Sequence, residues 1–106
     1  MREMTPEQCS TYLEQTQNPP LLLDVREAWE YNIVHLEHSM LIPMRQVPMA
    51  LDSLDRNREV IVICHHGIRS RQVALFLEQQ GFANVVNLWG GLDAWARSVD
   101  PGLATY

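Results

Sequence analysis

Residues 60–70 read Val60-Ile61-Val62-Ile63-Cys64-His65-His66-Gly67-Ile68-Arg69-Ser70. Four β-branched residues in succession run into a cysteine, the cysteine into a short polar loop, and the loop into a helical pattern. A strand that is apolar at every position is covered on both faces. That is the signature of a central parallel strand, and parallel neighbours need crossover helices to connect them.

The flanking sequence supplies those helices. Ser70 to Gln80 is amphipathic, with Val73, Ala74, Leu77 and Phe76 turned inward and Gly81 where a left-handed cap belongs. Thr5-Pro6-Glu7-Gln8 is a helix start: Thr5 caps, Pro6 suits the first turn and Gln8 completes a capping box. That helix is expected to reach Gln17, where Asn18-Pro19-Pro20 stops it. Leu21 to Val25, Ser39 to Ile42 and Val85 to Leu88 read as further strands. Glu27 to Asn32, Pro43 or Val47 to Leu54, and Leu92 to Arg97 read as helices, the last following a Gly90-Gly91 turn. Strands alternating with helices predict an α/β fold with a central, mostly parallel sheet of about five strands and helices on both faces. One domain over residues 1–106 is expected.

Composition narrows the function. Eight basic and 13 acidic residues give a net charge of −5, which argues against a nucleic-acid binder needing a basic face. All the basic residues are arginine, so every permanent side-chain cation is a planar fork suited to oxyanions. No apolar run is long enough to span a bilayer, and the N-terminus lacks the apolar stretch of a signal peptide. Cys9 and Cys64 are the only cysteines, so no disulfide framework is implied and a reducing, cytoplasmic setting is expected.

The chemistry is expected at Cys64. In open parallel sheets ligands bind beyond the carboxyl ends of the strands, and Cys64 stands at such an end. The following helix offers unsatisfied N–H groups and a partial positive charge. Gly67 lets the backbone curl so that several N–H groups converge, an arrangement that favours an anion such as a thiolate. Arg69 adds a fixed cation with a two-pronged fork. A structural thiol, a metal ligand and a nucleophile remain the alternatives. Adjacent residues such as Cys64, His65 and His66 rarely converge on one zinc, and paired ligands at C-x2-C spacing are missing, so no metal is read here.

Three motifs then carry a resemblance. Asp24-Val25-Arg26-Glu27 with Glu30-Tyr31, His35-Leu36 and Ile42-Pro43 is the first. Cys64-x-x-Gly67-x-Arg69-Ser70 is the second, and Leu88-Trp89-Gly90-Gly91-Leu92-x-x-Trp95 the third. Over Met4 to Trp95 the chain resembles a single-domain rhodanese, a sulfurtransferase of the thiosulfate type. The resemblance implies a persulfide on Cys64 and no cofactor. The active loop would be His65, His66, Gly67, Ile68, Arg69 and Ser70, with Asp24 and Arg26 in support. It implies a small sulfur donor, thiosulfate or a persulfide, and as acceptor a thiol, cyanide or a sulfur-carrier protein. Two other readings stand beside it. A cysteine phosphatase or arsenate reductase would wrap its oxyanion in a C-x5-R loop, whereas here four residues separate Cys64 from Arg69. A non-catalytic binding module would ordinarily lack the cysteine.

Smaller expectations follow. Val34 and His38 replace glycines of the family pattern, so strain is expected at Val34 if that position needs positive φ. His65 replaces a fixed cation and is expected to help hold an anionic donor when protonated. Arg26 and Glu30 are assigned to an ion-pair network and Asp24 to accepting hydrogen bonds. His35 is assigned to a backbone contact, Trp89 and Trp95 to core or pocket-wall packing, Arg71 to solvent, and Cys9 to a buried thiol.

Overall fold

The computed structural model describes all residues from Met1 to Tyr106. Five strands form one sheet: β1 (Arg2–Met4), β2 (Leu21–Asp24), β3 (Ser39–Leu41), β4 (Val60–Ile63) and β5 (Val85–Leu88). Their order is β1-β5-β4-β2-β3, and every neighbouring pair is parallel. The helices are α1 (Pro6–Gln15), α2 (Ala28–Ile33), α3 (Val47–Ala50), α4 (Ile68–Gln79) and α5 (Gly91–Ser98), and short 3₁₀ turns flank α3. No helix is long and apolar enough to cross a membrane.

The all-apolar reading of residues 60–63 places β4 correctly, at the middle of the sheet. Its odd and even positions feed different cores. Val60, Val62 and Cys64 join Leu21, Leu23, Val73, Ala74 and Leu77 on the side of α4, while Ile61 and Ile63 join Leu22, Val86, Leu92 and Trp95 on the side of α1 and α5. This two-residue alternation is intrinsic to a strand. It fixes the direction of Cys64, whose side chain continues the Val60–Val62 row toward the start of α4.

Local signals behave as read at several places. Thr5 caps α1, with Gln8 reciprocating, although the helix ends at Gln15, two residues sooner than expected. Gly81 takes φ +91 after α4. The helix start expected at Ser70 lies at Ile68, because Gly67, at φ +92, already turns the chain into the helix as its N-cap. One strand, β1, has no signature in the sequence. Arg2-Glu3-Met4 is short and polar, and it earns its place only by pairing with β5 at the sheet edge.

The strain expected at Val34 is absent. Val34 has φ −162 and ψ 141, an extended conformation open to any residue. The left-handed residue is His38, at φ 66, a conformation that costs a non-glycine residue on the order of 1 kcal/mol.

Candidate active site

The carboxyl ends of β2, β4 and β5 converge on one spot, and Cys64 lies at its centre, 1 % exposed. Three donors or acceptors surround its sulfur. The N–H of Gly67 donates to Sγ at 3.0 Å and that of Ser70 at 3.3 Å. Ser70 Oγ lies 3.3 Å from Sγ and donates onward to Asn87 Oδ1 at 2.5 Å. Asn87, in β5, returns two bonds through Nδ2, to the Gly67 carbonyl and to Glu3 Oε1. The thiol proton is therefore aimed at Ser70 Oγ, and a thiolate would keep two backbone N–H donors at the positive end of α4.

Two glycines allow this geometry. Gly67 provides the left-handed turn. Gly91 allows α5 to touch the loop: Leu92 N donates to the Cys64 carbonyl and Asp93 N to the His65 carbonyl, each at 3.0 Å. A Cβ on Gly91 would lie 2.5 Å from the Cys64 oxygen and closer still to that of His65, at a backbone φ of +61. Gly91→Ala is accordingly expected to cost about 2–3 kcal/mol and to lower activity, since the displaced backbone is the loop itself. Chemical denaturation beside steady-state kinetics checks this.

The charged residues pair differently from the expectation. Arg26 and Glu30 do not bond side chain to side chain. Arg26, fully buried, forks onto Asp24 (Nη2–Oδ2 2.8 Å, Nε–Oδ1 2.9 Å) and reaches the Val34 carbonyl at 2.6 Å. Asp24 thus accepts hydrogen bonds as assigned. Glu30 instead takes the Arg69 fork, with Nη1–Oε1 at 2.7 Å and Nη2–Oε2 at 2.9 Å. The Arg69 guanidinium holds the Glu30 carboxyl down at about 2, with help from the Glu27 N–H.

Tyr106 joins the two pairs. Its hydroxyl accepts from Arg26 Nη1 at 2.9 Å and donates to Glu30 Oε2 at 2.7 Å, while its ring packs 4.0 Å from that of His65. The chain Asp24–Arg26–Tyr106–Glu30–Arg69 thereby links β2, α2, the C-terminal segment and α4. Tyr106→Phe removes the bridge and leaves Arg26 and Glu30 one partner short. A loss of about 1 kcal/mol is expected, read from the urea midpoint at unchanged m-value.

The remaining assignments divide. His35 Nδ1 bonds the Tyr31 carbonyl at 2.9 Å, Trp95 is buried, and Cys9 is a buried thiol pushed up to about 11 by burial. Of the core and pocket-wall roles, Trp89, 57 % exposed, takes the second. It walls a cleft of about 440 Å³ with His66, Gly67, Ile68 and Asn87, and Arg71, assigned to solvent, lines it too. His65 is a poorer cation than the expected role calls for. Burial and the neighbouring His66 lower its pKa, which disfavours the protonated ring. Asn87, Tyr106 and the Glu30–Arg69 pairing had no local sequence signal pointing to the loop.

Comparison with known proteins gives the chain its relatives. Thiosulfate sulfurtransferase GlpE of Actinobacillus succinogenes is 36 % identical over 104 residues, spanning 98 % of this chain and 92 % of that protein. The chloroplastic rhodanese-like/PpiC domain-containing protein 12 of Arabidopsis thaliana is 39 % identical over 89 residues, and there the match spans only 30 % of the longer protein. The crystal structure of a rhodanese-like domain protein from Staphylococcus aureus superposes with a TM-score of 0.85 at 31 % identity, covering 100 % of this chain and 99 % of that one. The model of the rhodanese-like domain matches residues 5–98, an interval that holds Cys64, its loop and both ion pairs, and the chain belongs to that family.

Proposed function

We propose that this protein is a thiosulfate-type sulfurtransferase that works through a persulfide on Cys64. The observation that carries the reading is the pair of backbone N–H groups directed at Sγ, one from Gly67 in the loop and one from Ser70 in the first turn of α4. The Cys64 thiolate attacks the outer sulfur of thiosulfate. The S–S bond of the donor breaks, its electron pair leaves with sulfite, and the outer sulfur stays bonded to Sγ with one negative charge. Nucleophilic catalysis of this kind divides the transfer into two displacements. The loop N–H groups and the start of α4 stabilise the charge in both. In the second, cyanide, a thiol or a sulfur-carrier protein takes the terminal sulfur and frees the Cys64 thiolate.

His65, His66 and Ile68 shape the loop, with Arg69 and Ser70 at its helical end. Arg69 shares its charge with Glu30 and is still 36 % exposed, so it adds positive field for an anionic donor while tethering α4 to α2. Asp24 and Arg26 support the Glu30 side of the site.

Purified protein mixed with thiosulfate and cyanide should produce thiocyanate. Thiosulfate alone should leave the Cys64 peptide one sulfur heavier by mass spectrometry, and cyanide should remove that sulfur. A Cys64 peptide of unchanged mass under turnover would refute the persulfide.

A further inference from the structure

The contact made by Gly91 has a second result. It sets Asp93, in the first turn of α5, beside both loop histidines. One nitrogen from His65, one from His66 and one Asp93 carboxylate oxygen all lie within 4.8 Å of one another. These groups do not satisfy each other. His66 Nε2 is 3.8 Å from Asp93 Oδ2, beyond hydrogen-bond range. His65 Nδ1 is buried and is the one buried side-chain nitrogen or oxygen without a hydrogen-bond partner. Buried polar atoms are almost always paired, so such an orphan calls for an explanation.

Two imidazoles and a carboxylate are a donor set suited to Zn²⁺, which binds nitrogen and oxygen at about 2.0–2.2 Å and completes a tetrahedron with water. We propose that His65, His66 and Asp93 form a Zn²⁺ site between the loop and the first turn of α5. Closing onto a metal requires the three ligand atoms to draw together by about an ångström. His66, whose side chain is 60 % exposed, has room to make that move. Neighbouring histidines alone do not make a site, and the sequence hides the third ligand because the histidines lie in the loop while Asp93 arrives from α5.

One group opposes the metal. Arg97 Nη1 lies 2.6 Å from Asp93 Oδ2, and its charge disfavours a cation there. Its side chain is 70 % exposed and can swing away. The site therefore predicts an effect of opposite sign: removing Arg97 should tighten binding.

The site stands independently of sulfur transfer, and its test keeps the two apart. Untagged protein carrying Cys64→Ser, so that the thiol cannot capture the metal, is titrated with ZnCl₂ by calorimetry, and with Co²⁺ by its visible absorption. One equivalent should bind. His66→Ala and Asp93→Asn should each weaken Zn²⁺ at least about tenfold, since even outer-shell partners are worth that much. His38→Ala, elsewhere on the surface, should change nothing, and Arg97→Ala should strengthen binding. No saturable binding, affinity unaffected by Asp93→Asn, or binding seen only when Cys64 is intact would each overturn the proposal.

Discussion

Cys64→Ser is expected to lower sulfur transfer from thiosulfate to cyanide at least about a thousandfold, in a protein that still folds. The two effects separate because the cysteine serves chemistry and packing through different properties. Serine keeps the shape at the end of β4 and offers an oxygen to the N–H groups of Gly67 and Ser70, so neither donor is stranded. What is lost is a polarizable nucleophile able to form and release an S–S bond. A serine hydroxyl is a weak nucleophile without an adjacent base, and the structure supplies none: Ser70 Oγ already donates to Asn87. The stability change should stay under about 2 kcal/mol, the range of a perturbed buried hydrogen bond. The ratio of kcat/KM values, taken with the urea midpoints, reads both quantities. Activity within tenfold of the parent would remove Cys64 from the mechanism, whatever the fold of the chain.

How much of this was legible in the sequence depends on the range of the interaction. Period and cap are local, so the residues that write them can be read. Thr5 with Gln8 announces α1, the β-branched run announces a central strand, and Gly67 announces the turn that curls the loop. Even the direction of Cys64 is implicit, since it continues the even-numbered row of β4. Partner choice is not local. Arg26, Glu30 and Arg69 all stand in recognisable motifs, yet the pairing of Glu30 with Arg69 rather than Arg26 follows from how α2 and α4 meet across 39 positions. Tyr106 reaches Glu30 from 76 positions away through a tail without regular structure. Asp93 became a neighbour of His65 only because Gly91 permits contact between backbones. The three residues of β1 carry almost no signal, since a short polar edge strand is specified by its neighbour. In the turn after α2 the family glycines suggested strain at Val34, but the backbone absorbed that valine in extended form and placed the left-handed residue at His38.

The Glu30–Arg69 pair is the place where charge and fold are most tightly coupled, and Glu30→Gln should show it. In the native protein four donors meet the Glu30 carboxylate: both prongs of Arg69, the Glu27 N–H and the Tyr106 hydroxyl. They hold its carboxyl at about 2, against an ordinary value of 4.5. A carboxyl depressed on folding binds fewer protons in the native state than in the unfolded one between those values. Its stabilisation is therefore complete above pH 4.5 and is lost as pH falls toward 2. With screening at the partly exposed Arg69, that contribution is about 2–3 kcal/mol. Glutamine keeps the size but cannot accept two charged prongs, so at pH 7 the variant should be less stable by about this amount. Its stability should also change less between pH 4.5 and 2, and the two curves should converge at the acid end. Urea unfolding at several pH values measures this directly. A second substitution, Arg69→Gln, should cost less in the Glu30→Gln background than in the parent, because the pair is already broken. Parallel loss of stability with acid in parent and Glu30→Gln would place the acid sensitivity on other carboxylates. The bond between α2 and α4 would then be geometric support for the loop without a large energetic share.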